Sequence, residues 1–310
     1  MRILVLGGTR FIGRALVFEL LGAGHTVAVA HRGEHAGDLP PSVQHIHSER
    51  RQLAAHREEL ARFSPDAVID LSAMTVADVA ALEPAIDRSL PLVAVSSMDV
   101  YRAFASVYDG TVTDAVPLTE EAPLRTVPSP DRDFVPPGWG HEPGVYEKLD
   151  VERLHRERGA TICRLPMVYG EHDYNRREDF VLARVRAGDR EIPFGPGTFL
   201  CSRGYAPEIA RGLRLACERG GRGEVFNLCE RECATVRHWA EEILAAAGHE
   251  AELVRVPDEE LPEDFGLSAE IPQSLLCGPS RAERELGWVH APWRGCVARS
   301  VRWHLAHPRL

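Results

Sequence analysis

Long hydrophobic runs are missing from this 310-residue chain: no apolar stretch approaches the roughly 18 to 20 residues that a membrane-spanning helix requires. Basic charge is also short, with 36 Lys and Arg against 46 Asp and Glu and a formal net charge of −10. An acidic molecule repels polyanions, so neither a nucleic acid nor a membrane is an expected partner. Cysteine is scattered: the seven thiols are an odd number without framework spacing, which argues against a disulfide scaffold and predicts a reduced, cytoplasmic protein. Cys229 and Cys233 form C-x3-C with no second pair, and His45 and His47 share a strand face with no carboxylate to complete a set, so no metal is expected. Met1 and Arg2 run directly into ILVLGG, so no leader peptide is expected. What remains is 44% hydrophobic and 26% charged, enough for a substantial core in a chain near the size where one domain becomes two.

Short β-branched runs alternate with amphipathic segments through the first hundred residues: ILVLG, a helix over 11–21, TVAVA, VQHIH, a helix over 52–63, DAVIDL, a helix over 75–88 capped by Thr75 and Asp78, and PLVAVSS. That pattern predicts an α/β protein with a Rossmann-type, doubly wound parallel sheet, whose strands are buried on both faces. Between about 103 and 143 periodicity fails and prolines gather, which predicts a long functional loop. A helix over 146–158 and the strand ATICRL follow. Beyond them the alternation is irregular, with helices over 180–187, 207–219 and 236–247, strands at EIPF, TFLCSRGY, EVFNL and AELVRV, and closing helices near Ser280 and Val297. We therefore expect a dinucleotide-binding domain over 1–165 and a smaller, interleaved mixed α/β substrate lobe over 166–310.

The first strand ends in GGTRFIG, which puts Gly7, Gly8 and Gly13 where a pyrophosphate would meet the backbone N–H groups of a helix N-terminus. A tight turn without a ligand is the plainer reading, but it does not explain three glycines where backbone must approach closely.

These residues, with SSMDVY at 96–101, VPLTEEAPLR, RLPMVYG, RGYAPEIA, FNL and ELGW in that order, resemble the extended short-chain dehydrogenase/reductase family, also called the nucleotide-sugar epimerase/dehydratase family. Arg10 in place of the middle glycine is similar to an atypical branch that includes chloroplast stem-loop-binding proteins. The resemblance implies that Gly7, Gly8, Thr9, Arg10, Phe11, Ile12 and Gly13 hold a dinucleotide. It further implies that Glu49 meets adenine, that Ser72 and Ala73 line the nicotinamide-side ribose, that Ser97 orients substrate and that Lys148 binds the cofactor ribose. The family's catalytic tyrosine would stand at 144, where this chain has Gly144. Three readings follow. Tyr146 reaches the site from a helix that starts late, which Pro143 and Gly144 permit; or Asp99 or His141 has taken over the proton; or the fold binds cofactor without turnover. Asp99 also reads as a helix cap, and His141 as a solvated loop residue. Only one of the positions 98 and 99 is acidic, which disfavours a dehydratase that needs both.

Charge at the end of the second strand selects the cofactor. His31 and Arg32 stand where NAD-selecting proteins carry an acid, and Arg10 lies in the turn, so NADP is expected, with NAD as the alternative. Arg177, Arg184 and Arg203 lie where nucleotide-sugar members clamp a diphosphate, although arginines are also common on solvated helices. The expected activity is oxidation, reduction or epimerisation of a small hydroxyl or carbonyl substrate, a nucleotide sugar or a natural-product intermediate. A cofactor-binding sensor or RNA-associated module is the rival reading, and a homodimer is an open expectation.

Overall fold

The computed structural model describes residues 1–34, 38–133 and 142–308. Six strands enter the central sheet from the first 165 residues: β1 (Arg2–Leu6), β2 (Thr26–His31), β3 (Gln44–His47), β4 (Ala67–Asp70), β5 (Leu92–Ser97) and β6 (Thr161–Leu165). The short strands β7 (Met167–Tyr169), β8 (Glu191–Phe194) and β9 (Arg203–Tyr205) precede a seventh sheet member, β10 (Val225–Asn227), and β11 (Glu252–Arg255) follows. The sheet order is β10-β6-β5-β4-β1-β2-β3, every pairing parallel. This is the doubly wound α/β architecture that the alternation of strands and helices predicts. The order reverses beside β1, and the crevice at the carboxyl ends of β1 and β4 is where such sheets receive ligands.

Burial explains the strand composition. Every residue of β4 and β6 is buried, as are Ile3–Leu6 of β1, whereas edge strand β3 exposes Gln44 and His47. Four helices belong to the first half: α1 (Phe11–Gly22), α2 (Arg57–Phe63), α3 (Val76–Ala80) and α4 (Arg102–Asp109). The next is α5 (Lys148–Glu157), then α6 (Asp179–Ala187), α7 (Ala206–Arg219), α8 (Val236–Ala247), α9 (Ser280–Leu286) and α10 (Trp293–Ala306). One face of the sheet packs against α1 and α7 through Leu16, Val17, Leu20, Ile209 and Leu213, and Leu286 and Trp288 close the same core. The other face is covered by Leu60 and Phe63 of α2 and by Leu82 and Ile86 after α3, and α3 meets α5 through Val79 and Val151. A further core joins Val100 and Tyr101, after β5, to Tyr169, Leu182, Phe194, Trp239 and Val297 of the later elements.

Several local expectations need correction. Helix α3 stops at Ala80 rather than Arg88: the Thr75–Asp78 capping box forms, but the chain continues as turns. The segment expected as one helix over 52–63 is a 3-10 turn over 50–56 followed by α2. The proline-rich stretch contains α4, ended by Gly110 in the left-handed region, φ +64°. In TFLCSRGY only Arg203–Tyr205 is a strand, and α5 begins at Lys148 rather than Tyr146. Among the described residues, no helix is long and apolar enough to cross a membrane.

Candidate cofactor and catalytic site

The glycine turn leaves β1 through Gly7, whose φ of +90° and N–H donated to Ala30 O bend the chain across β2. A Cβ at Gly7 would lie 3.0 Å from Ser72 Cβ, and one at Gly13 would stand 2.2 Å from Gly7 O. Gly8 backs onto Val29. The turn is therefore a cradle whose close approaches only glycine permits. Helix α1 opens behind it with no side-chain cap and no acidic residue in its first turn, so its first N–H groups suit an anion. Thr9 and Arg10 are half-buried on the turn, Phe11 is buried with φ +42°, and Ile12 packs partly into the core beneath α1. These residues fit the pyrophosphate of a dinucleotide.

The charges at the adenosine end are arranged differently from the expectation. The Arg10 guanidinium lies 4.2 Å over the ring of Tyr174, on the loop after β7, and not toward the end of β2. His31 is not a cationic group: burial, then His47 and His45, pull it down to about 4. Arg32 stands at the strand end in a 3.3 Å ion pair with Glu34. Glu49 is exposed and precedes the 3-10 turn.

Beneath the cradle lies a buried ion pair that sequence reasoning missed. Arg50 donates to both carboxylate oxygens of Asp70, at 2.7 and 2.6 Å, and to Ser72 Oγ at 3.1 Å. Burial alone would raise Asp70, but Arg50 and His155 overturn that and hold it well below the carboxylate range. Ser72 is thus fixed at the end of β4, and Ala73 next to it offers its carbonyl to Lys148 Nζ at 2.6 Å.

Ser97, Asp99, Tyr146 and Lys148 come together at the carboxyl end of β5. Ser97 Oγ accepts the Asp99 N–H at 3.2 Å, which turns the chain so that the Asp99 side chain is buried under it. Tyr146 Oη donates to Asp99 Oδ2 at 2.6 Å. Asp99 Oδ1 is buried without a partner among the described residues. Lys148 Nζ lies between Ala73 O and, at 3.4 Å, Val95 O. Burial pulls Lys148 down to about 8 against the opposing attraction of Asp99, Asp70 and Asp78. Burial likewise raises Asp99, opposed by the Tyr146 hydrogen bond, Arg125 and Lys148, and raises Tyr146, reinforced by Asp99. Burial thus acts in the same direction on the carboxyl and the phenol.

The late start of α5 makes this possible. Gly144 takes φ +82°, Arg132 ties the segment down by donating to Gly144 O at 2.9 Å, and Glu147 caps the helix by accepting the Leu149 N–H at 3.1 Å. Arg125 sets the register, donating to Glu147 Oε1 at 2.7 Å and to Asp99 O at 2.5 Å. One buried guanidinium of the proline-rich loop thus holds both segments that carry the phenol and the carboxyl; its arginine between Leu124 and Thr126 gave no sequence signal. His141 lies outside the described residues.

The three arginines weighed for a diphosphate do not form a clamp. Arg177 is exposed, and Arg184 is committed to Asp264 and laid over Phe265. Arg203 is buried over Trp239 and donates to Ala234 O at 2.8 Å, with its Nε and Nη2 unpartnered among the described residues.

Comparison with known proteins agrees with this architecture. Residues 3–87 match the model of the NAD dependent epimerase/dehydratase family. The chain is 27% identical to the chloroplast stem-loop binding protein of 41 kDa b of Arabidopsis thaliana, over 93% of this chain and 74% of that protein. It is 29% identical to 2'-dehydrokanamycin reductase of Streptomyces kanamyceticus, over 84% of this chain and 70% of that protein. The fold superposes on dTDP-glucose 4,6-dehydratase of Bacillus anthracis in complex with NAD, with a TM-score of 0.75 and 16% identity, covering 99% of this chain and 97% of that one. The chain is thus similar, over residues 3–87, to the NAD dependent epimerase/dehydratase family, and over its whole length it shares the fold of that dehydratase.

Proposed function

We propose that this protein is an NADP-dependent oxidoreductase or epimerase-like enzyme that acts on a hydroxyl or carbonyl carbon of a small substrate, with Tyr146 as the proton donor and acceptor. The observation that carries this reading is the 2.6 Å bond from Tyr146 to Asp99, beside Ser97 and Lys148 and across from the glycine cradle. Bound nicotinamide nucleotide would supply or accept the hydride. The protein's own residues handle the proton. In reduction, Tyr146 Oη passes its proton to the substrate oxygen and is reloaded from solvent by way of Asp99, whose Oδ2 it is hydrogen-bonded to. In oxidation the path reverses, and the Asp99 carboxylate receives the proton. Ser97 orients the substrate oxygen, and Lys148, held between two carbonyls, supplies positive charge beside the ribose. Relatives support the enzyme reading over a silent cofactor-binding module, since one is named a reductase. Net acidity disfavours an RNA partner.

NADP rests on Arg32 alone, now that His31 and Arg10 are otherwise disposed. Nicotinamide fluorescence and calorimetry with both cofactors, followed by oxidation and reduction assays on a panel of ketones, alcohols and nucleotide sugars, test the reading. Arg32→Ala should erase most of the NADP preference, roughly 1.5 to 3 kcal/mol for a charge-assisted contact. Equal affinity for the two cofactors would overturn the NADP assignment, and no turnover across the panel with bound cofactor would favour the silent module.

A further inference from the structure

Strands β2 and β3 end side by side, with His31 paired to His47 in register, at the corner where a doubly wound sheet receives the adenosine ribose. Three imidazoles pack there: the His31 ring centroid lies 5.0 Å from His45 and 4.7 Å from His47, and His45 and His47 are stacked at 6.1 Å. Their hydrogen bonds fix two tautomers. Gly33 N–H donates to His31 Nδ1 at 3.0 Å, so the His31 proton is on Nε2; that N–H donates to His45 Nδ1 at 2.8 Å, so the His45 proton is on its own Nε2. Each ring has its lone pair occupied, and adding a proton to either breaks a bond that shapes the turn.

His47 differs. It is exposed, no described residue hydrogen-bonds to its ring, and its Nδ1 sits against the turn carrying Arg32, 3.1 Å from where a Gly33 Cβ would stand. Among the described residues, the other charged groups at this corner are paired or solvated: Arg32 with Glu34 in a partly exposed pair, Arg14 with Asp38 and Arg50 with Asp70, with Glu49 exposed two residues on.

We propose that NADP(H) binding is proton-coupled at His47: the imidazole takes up a proton as the 2′-phosphate arrives and becomes, with Arg32, the second cation on that phosphate. The proposal rests on the NADP reading above and adds how the phosphate is read. A neighbouring dianion favours the charged form of an imidazole, the side chain that titrates nearest neutrality. NAD(H), with hydroxyls at this position, offers no such charge. The proton comes from solvent and bonds to a ring nitrogen of His47, with no covalent change in the nucleotide.

The test is calorimetry of NADP+ and NAD+ on the full chain between pH 6.5 and 8.5, in buffers of different ionisation enthalpy. The expected result is uptake of between half and one proton with NADP+ and none with NAD+, and NADP+ affinity falling by up to about tenfold per pH unit while NAD+ affinity stays flat. The phosphate's own second ionisation, near about 6, releases protons when the dianion binds, so the sign separates the two sources. His47→Asn should abolish uptake and flatten the NADP+ profile, with unchanged NAD+ binding reporting an intact fold. His47→Arg should keep NADP+ affinity at pH 8.5 without uptake. Uptake equal for both cofactors, or surviving in His47→Asn, overturns the proposal. NADP+ still preferred without any uptake removes the role of His47 and leaves the NADP reading standing; NADP+ and NAD+ binding alike at every pH removes both.

Discussion

Tyr146 reaches Asp99 with a 2.6 Å hydrogen bond from outside helix α5, two residues before Lys148, which starts that helix. Had the helix run on through Tyr146, a two-residue offset would have set the phenol about 200° around the axis from Lys148. The extended backbone at Glu147, φ −157°, removes that conflict. Given a substrate, Tyr146→Phe should lower kcat on the order of 10² to 10⁴. Asp99→Asn should cost less and remove the pH limb that follows the carboxyl. Pre-steady-state and steady-state kinetics over pH check both. If the two variants exchange behaviour, Asp99 and not Tyr146 meets the substrate oxygen.

Asp99 should also be a stability liability. Its folded carboxyl is raised by burial above the ordinary range, so the stabilisation it gives is full only below the unfolded carboxylate value, about 3.9, and is lost as pH rises through the folded value. Asp99→Asn, neutral at every pH, should therefore raise Tm at pH 7 by a few degrees, with the gain vanishing toward pH 4. Scanning calorimetry across pH would show the crossover; a variant less stable at pH 7 would contradict it.

The Arg50–Asp70 pair has the opposite sign. Asp70 is held low, so its contribution is present above about pH 4 and lost as pH falls. Asp70→Asn strands a buried guanidinium and should cost about 3 to 5 kcal/mol in urea unfolding at pH 7, with a smaller deficit below pH 4.

Two glycines of one helix make a matched comparison. A Cβ at Gly13 would lie 2.2 Å from Gly7 O and 2.8 Å from Gly8 Cα, whereas nothing lies within 4 Å of one at Gly22. Gly13→Ala must push the turn away from α1 and should weaken dinucleotide binding by at least tenfold. Gly22→Ala should leave binding unchanged and stabilise by up to about 1 kcal/mol. Fluorescence titration and thermal melts on both variants check this.

The parts of the site that were legible in the sequence are those a short stretch encodes by itself. GGTRFIG carries its own close approaches, and strands buried on both faces show as continuous apolar runs. Ser97, Asp99 and Lys148, which follow landmarks at fixed offsets, are brought to one place. Arg125 and Arg50 were not legible in the sequence, because each acts across the chain: Arg125 is 22 residues from Glu147 and Arg50 is 20 from Asp70. The first residue of α5 was misjudged for the same reason. Helical periodicity extends through Tyr146, and the residues that stop it are a glycine with positive φ and a cap fastened by a distant arginine. At the end of β2, residue type alone suggested positive charge, but burial and neighbouring rings decide the charge state of His31.

The seventh strand has a consequence for biosynthesis. Because α7 roofs α1 and β10 pairs with β6 only once the chain has reached Arg219 and Asn227, a nascent chain that ends near residue 165 leaves the β6 edge bare and the α1 flank uncovered. The ribosome must deliver most of the polypeptide before the central sheet is complete. An unpaired strand edge and an exposed apolar helix surface are the features that expose a partly made chain to aggregation.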